Sequence, residues 1–513
     1  MNQRKAGAML SYVYLALTFA VGIFYTPLIL HWLGDSEYGV YSVASSIISF
    51  LAILDLGFNQ TMIRYVAKAK AEKKEDEIDK LNGMFLIFYS IIAVIALIAG
   101  LIITLFIEDI FQKGFTPHES ETLTIIFRIL LVNLVVSFPL ATFSAVINAN
   151  EGFFFLKLTN IISFILTYGG ILLSLYLGNK SISMALITAV VGVSLKIITA
   201  IYGTKKYKIR FRFSGFDKAL LREIFIFSFF IFLNIVIDQL YASTDKFILG
   251  ALCSSAIVTT YTVGVQFSSY FEQFSTSISG VFLPKITQLV TKDGDMKNVS
   301  ELFIRIGRIQ FIILSFLMSA FIIFGQNFIS LWVGDKQLDA YRIALVVIIP
   351  AIIPLSQNLG ISVLRAMNKH HFRSIIYFFL AIMNVALSIP MAIKFGGFGA
   401  AAATGISTCC GQIIAMNWFY YKKIGINIPG YWKEVTKIAA ITVLIGLIGY
   451  GIHIIPIWQN PSLTAPLHGW ISFIIQCIIY AIAYFIIGWV AIFNEYEKEL
   501  VDGILRKIFR HKS

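Results

Sequence analysis

The sequence predicts an all-α polytopic membrane protein of about 14 transmembrane helices, and three observations predict it. Mean hydropathy is +0.80, and 58% of the 513 residues are hydrophobic, more than a soluble core needs. Fourteen apolar runs can be drawn, each close to the roughly 20 residues that cross a bilayer core of about 30 Å. Eight short charged clusters punctuate them, each separated from the next by two runs.

The runs lie at 9–30, 38–62, 84–107, 123–147, 153–177, 182–202, 224–250, 256–282, 309–333, 342–364, 374–394, 398–421, 437–457 and 466–493. Backbone polar groups find no partners in hydrocarbon, so runs of this length can only be helices; barrel strands would be shorter and alternating. Run 1 is too long for the apolar segment of a signal peptide, and no cleavage signature follows Leu30, so it is expected to be a retained helix.

The charged clusters fall at 2–5, 64–80, 151–157, 205–222, 285–308, 365–373, 422–437 and 498–512, and hold 33 of the 41 Lys and Arg residues. Cytoplasmic loops retain Lys and Arg. Alternate loops and both termini are therefore expected in the cytoplasm, with the protein in the cytoplasmic (inner) membrane. The net charge of +13 is thus a topology signal, and no nucleic-acid partner is expected. The stretch Lys68–Lys80 reads as a solvated helical extension of run 2.

The loops leave no room for a soluble catalytic domain. No phosphate-binding loop, dinucleotide glycine set or nucleophile elbow is present, so no enzyme and no cofactor are expected. Gly396–Gly399 joins two apolar runs and reads as a tight outer turn. The four cysteines (Cys253, Cys409, Cys410, Cys477) lack metal-ligand spacing, and no metal site is expected.

An internal repeat organises the chain. Residues 144–192 align with 362–410 without a gap, bringing Asn150 onto Asn368, Gly178 onto Gly396 and Ala185 onto Ala403. Leu33-Gly34 matches Leu249-Gly250, and Tyr41-Ser42-Val43 matches Tyr261-Thr262-Val263. The unit spans six runs, so both copies enter the membrane in the same orientation, as in parallel-repeat transporters. The expected domains are an N-terminal lobe (1–222), a C-terminal lobe (223–421), and a final helix pair with a cytoplasmic tail (422–513).

Polar residues inside the runs mark the expected cavity. On run 7, Asn234, Asp238, Tyr241 and Asp245 follow helical spacing. Run 8 carries Thr262, Gln266, Ser269, Gln273 and Thr276 on one face, with Glu272 at its margin. Run 2 carries Ser42, Ser45, Ser49, Asp55 and Asn59, whereas run 1 offers only Ser11 and Thr18. A charge at mid-bilayer costs roughly 2.5–3.5 kcal/mol on insertion scales. Asp55, Arg128, Lys196, Asp238, Asp245, Lys246 and Glu272 are therefore expected to face a wet cavity or to pair. Asp238 and Glu272, near mid-helix, are the foremost carboxylate candidates for a role in that cavity.

Gly7-Ala8, Leu33-Gly34 with Glu37-Tyr38-Gly39 and Tyr41, and Leu54-Asp55-Leu56-Gly57-Phe58 resemble the polysaccharide biosynthesis transporters, or O-antigen-type flippases. These belong to the multidrug/oligosaccharidyl-lipid/polysaccharide exporter superfamily. Asp245-Lys246 with Leu249-Gly250, and Gly399-Ala400-Ala401 with Ala403-Thr404, extend the resemblance over the chain. It implies two six-helix lobes, often with two extra helices, and alternating access. It also implies an undecaprenyl-diphosphate-linked oligosaccharide moved from the inner to the outer leaflet for cell-surface polysaccharide synthesis.

Membrane lipids and the polysaccharide polymerase machinery are the further expected partners. Arg128, Lys196 and Lys246 are suited to screening a diphosphate, and the Asn, Gln, Ser, Thr and Tyr side chains to bonding sugar hydroxyls. A multidrug exporter of the same superfamily is the alternative; a cationic drug would favour a cavity with fewer bases.

Overall fold

The computed structural model describes residues 3–215, 217–292, 296–367, 369–455 and 466–510. Asn368 of the repeat, residues 456–465 and Lys512 lie outside them. The described residues contain no strand. Twelve helical segments among them are long and apolar enough to cross a membrane, so the chain is a polytopic membrane protein.

The N-terminal part runs through α1 (Gln3–Leu33), α2 (Asp35–Leu51), α3 (Phe58–Ala71), α4 (Glu75–Phe111), α5 (Pro117–Ala149), α6 (Phe153–Tyr176), α7 (Ser181–Tyr207) and α8 (Lys218–Leu252). There follow α9 (Ser255–Lys292), α10 (Met296–Val333), α11 (Asp339–Ser356), α12 (Leu359–Ala366) and α13 (His370–Ser407). Wider π-type turns flank the short α14 (Met416–Phe419), and α15 (Ile428–His453), α16 (Pro466–Ala491) and α17 (Glu495–Arg510) complete the chain. All fourteen apolar runs have helical counterparts.

The longest apolar segment, Phe372–Ile424, has 53 residues and is two helices rather than one. Gly396 leaves helical geometry at φ 57, ψ −138, and Asn384 Nδ2 donates to Thr404 Oγ1 at 3.0 Å. In a straight helix those residues would stand about 30 Å apart at 1.5 Å per residue. The expected tight turn at Gly396–Gly399 is therefore present. Gly178, its partner in the repeat, also sits at positive φ, and Ala185 and Ala403 are both fully buried.

Two expectations need correction. Run 2 is not one helix, because a 3-10 turn over Ala52–Asp55 leads into left-handed Leu56 (φ 52) and Gly57 (φ 74). Asp55 satisfies the break. Its carboxylate accepts the Tyr89 hydroxyl at 2.9 Å and the backbone N–H groups of Gly57 and Asn59, at the N-terminus of α3 where an acceptor is favoured.

Lys68–Lys80 is likewise not a continuous extension. Lys73 turns left-handed (φ 59), with Lys74 N–H on Ala69 C=O and Lys73 N–H on Lys70 C=O, both 3.0 Å. This Schellman end stops α3, and Glu75–Lys80 starts α4.

The chain forms two compact units, one of residues 1–262 with 385–400, the other of 263–384 with 401–513. In the first, two apolar clusters divide at the α2–α3 break. Tyr38 and Tyr41 join Ile29, Leu33, Ile171, Leu175 and Met184. Phe58, Met62, Tyr65 and Val66 of α3 join Met84, Phe85 and Tyr89 of α4.

In the second unit, Arg308 of α10 is 5% exposed. It donates to both Glu497 oxygens at 2.9 and 3.0 Å, to Ile492 C=O at 3.0 Å, and to Glu434. Tyr480 donates to Ser319 at 2.6 Å, and Tyr484 meets Ser315 and Thr442 at 3.2 Å. Polar bonds of this kind tie α15 and α16 to α10 where apolar burial gives no preference over lipid.

Arg308→Ala strands the buried Glu497 carboxylate and should cost about 3–5 kcal/mol, read as a lower midpoint in thermal unfolding of the solubilised protein. Asp55→Ala should cost about 1–3 kcal/mol by leaving its donors unmet. Asp55→Asn, which keeps an acceptor oxygen, should lose clearly less in the same measurement.

Candidate substrate cavity

A polar cavity of about 350 Å³ lies within the first unit and is built mainly from hydroxyls. On α2, Tyr38, Tyr41, Ser42, Ser45, Ser46 and Ser49 line it, a set spaced by three and four residues that turns one helix face inward. Tyr25 and Ile29 of α1, Thr167, Tyr168 and Ile171 of α6, and Met184 and Thr188 of α7 add to the wall. Ser243 and Lys246 of α8 and Thr262 of α9 complete it.

Packing holds this surface in place. Tyr25 and Tyr168 meet edge to face at 4.7 Å, a favoured aromatic geometry. The Tyr41 hydroxyl lies 3.4 Å from Thr188 Oγ1, whose own proton goes to Met184 C=O at 2.8 Å. Ser46 returns its proton to Val43 C=O at 2.8 Å.

Lys246 is the single charged side chain among the described residues that line the cavity. Its neighbour Asp245 turns elsewhere. That carboxylate is 3% exposed and accepts the Tyr261 hydroxyl and Ser388 Oγ, the latter at 2.8 Å. Successive helical residues point about 100° apart, so the pair serves two environments. The cavity thus offers tyrosine faces, hydroxyls that donate or accept, and one ammonium for an anionic group.

Of the other residues expected to face a cavity, Ser42, Ser45, Ser49 and Thr262 line this one and the rest do not. Asp55 and Asn59 share the turn that caps α3. Arg128 on α5, Lys196 on α7 and Asp238 on α8 are exposed, and Asn234 and Tyr241 are half-buried. Gln266, Glu272 and Gln273 belong to the second unit. There Gln266 donates to the Tyr270 hydroxyl at 2.6 Å and Gln273 to Ser269 C=O at 3.3 Å, while Glu272 is exposed.

Of the run 2 stripe, Ser42, Ser45 and Ser49 line the cavity, and Asp55 and Asn59 do not. Tyr25 and Tyr168 escaped notice, and Tyr38 and Tyr41 stood out only as motif residues, because an aromatic on an apolar helix reads as packing. Thr18, one of the two polar residues noted on run 1, only bonds Tyr14 C=O of its own helix, at 2.9 Å.

Residues 5–290 match the family model described as polysaccharide biosynthesis protein. A curated relative, a putative O-antigen transporter of Shigella flexneri, is 19% identical over 406 residues, covering 77% of this chain and 92% of its own. Among solved structures, the lipid II flippase MurJ in an inward closed conformation superposes with a TM-score of 0.74 at 17% identity. That match covers 96% of this chain and 99% of the other. An inward-facing multidrug resistance MATE family transporter of the MOP superfamily gives 0.58 at 14%, covering 81% and 95%. These structures share the fold of this chain, and with more than half of its length matched by the family model, the protein belongs to the polysaccharide biosynthesis protein family.

Proposed function

We propose that this protein moves an undecaprenyl-diphosphate-linked oligosaccharide from the inner to the outer leaflet of the cytoplasmic membrane by alternating access, serving cell-surface polysaccharide synthesis. The observation that carries the reading is the hydroxyl-lined cavity with Lys246 as its single charge, in a chain of this family. Sugar rings present hydroxyls and apolar faces, which match serines, threonines and tyrosines. The diphosphate presents negative charge, which matches an ammonium.

A polyprenyl tail needs no protein cavity, because hydrocarbon already solvates it; only the headgroup needs the polar path. Both termini are cytoplasmic in this scheme, as the alternation of basic clusters requires. The two repeat lobes (1–222 and 223–421) rock about the headgroup, and residues 422–513 accompany the second. Arg128 and Lys196 are further bases for the diphosphate along its route. Asn59, Asn234, Tyr241, Gln266 and Gln273 are further hydroxyl partners. The polymerase machinery takes up the flipped product. A cationic drug is disfavoured as cargo, because Lys246, the charge that lines the cavity among the described residues, has the same sign.

Lys246→Gln removes a charge-assisted bond worth about 1.5–3 kcal/mol, equivalent to roughly 10–100-fold in affinity. Outer-leaflet exposure of the lipid-linked glycan, measured in cells depleted of the protein and complemented, should fall accordingly while membrane levels hold. Unchanged lipid-linked glycan together with altered drug sensitivity would instead assign the chain to multidrug export. Asp238 and Glu272 are proposed to couple transport to an ion gradient. Asp238→Asn and Glu272→Gln should each slow translocation without lowering protein levels, and normal export in both would remove that role.

A further inference from the structure

Three of the helices that wall the cavity, α2, α7 and α9, begin near one of its ends. By the topology proposed above, α2, α5, α7 and α9 all start at the outer face. Each of α2, α7 and α9 then reaches the cavity within one or two turns, through Tyr38, Met184 and Thr262 respectively. Their first residues do not line the cavity. They are bonded instead to two glutamates.

Glu119, in the first turn of α5, accepts the hydroxyls of Ser36 (α2) and Ser255 (α9) on one oxygen. Its other oxygen accepts the Thr116 N–H at 2.8 Å and hydroxyl at 2.9 Å, so a capping box fixes the side chain. Glu37, in the first turn of α2, accepts the Ser181 hydroxyl of α7 and lies 3.7 Å from Lys180 Nζ. Thr259 of α9 donates to Asp35 C=O at 2.6 Å.

Backbones meet at the same place. A Cβ on Gly39 would lie 2.0 Å from Ser255 O, so only glycine permits the approach of α2 to α9. Ser181 and Thr259 are fully buried.

We propose that Glu37 and Glu119 are the positioning residues that close the outer mouth of the cavity, and that release of Ser36, Ser181 and Ser255 opens it for the departing headgroup. The inference rests on the transport reading above. A hydroxyl can exchange a carboxylate for water, and water for a carboxylate, without stranding a charge. A buried ion pair has no such freedom, since breaking it leaves both partners uncompensated. Serines around a fixed glutamate therefore suit a mouth that must open and reseal in every cycle.

The test uses full-length protein in cells, in a background with the four native cysteines replaced and transport verified. A Ser45→Cys reporter in the cavity is labelled from outside with a membrane-impermeant maleimide. Removing both glutamates (Glu37→Ala with Glu119→Ala) should raise labelling at least fivefold. Glu119→Gln alone, whose amide can still bond both serines, should stay near the background. Separately, a Ser36→Cys, Ser255→Cys pair crosslinked by oxidant should stop outer-leaflet exposure of lipid-linked glycan, and reductant should restore it.

Equal labelling with and without the glutamates, at normal membrane levels, would overturn the proposal. So would full transport with the crosslink formed. Labelling that responds as expected, in cells whose lipid-linked glycan never depends on the protein, would uphold the closed mouth and overturn the flippase reading instead.

Discussion

Hydrocarbon offers no hydrogen bonds, and every structural choice in this protein answers to that. Helices satisfy their own backbone, so the chain is helical almost throughout its described length. Where a helix breaks inside the membrane, a side chain must supply what the backbone lost, and Asp55 does so at Leu56–Gly57. Where charges are buried, they are surrounded by partners, as Arg308 is by two carboxylates and a carbonyl. Lys246 differs from both in facing a cavity of hydroxyls, which is why it carries the functional argument.

The same constraint explains how the helix pair α15 and α16 is held. Apolar side chains gain little by leaving lipid for protein, so the pair needs polar or close-packed contacts to be specific. Tyr480 with Ser319, and Tyr484 with Ser315 and Thr442, supply them along α10, and Arg308 gathers Glu434 and Glu497 at the end of the row. The first turns of α2, α5, α7 and α9 are held by serine-to-glutamate bonds instead. One region is built around an ion cluster, the other around exchangeable hydroxyls.

Much of the fold was legible in the sequence because its signal repeats. Thirty-three basic residues distributed over eight clusters outvote any local ambiguity, and the turn at Gly396 stood out because its glycines join two apolar runs. The α2–α3 break was not legible, since Leu-Asp-Leu-Gly-Phe continues an apolar run and nothing in spacing shows that Asp55 bonds Tyr89 on another helix. The site was harder still. Facing arguments treat one helix at a time, and they found the α2 serines and Lys246. They had no means of knowing that Tyr25, Tyr41 and Tyr168 converge from three helices, or that Arg308, within a basic cluster, is buried.

The division of the first unit at the α2–α3 break has a consequence for how such a protein diversifies. The serine face of α2 belongs with one apolar cluster, and the residues after the break with another. A change at Ser42, Ser45 or Ser49 therefore alters the lining without disturbing the packing around Phe58, Met62 and Tyr65. Substitutions at these serines would thus change the cavity wall one position at a time, while the packing after the break stays as it is.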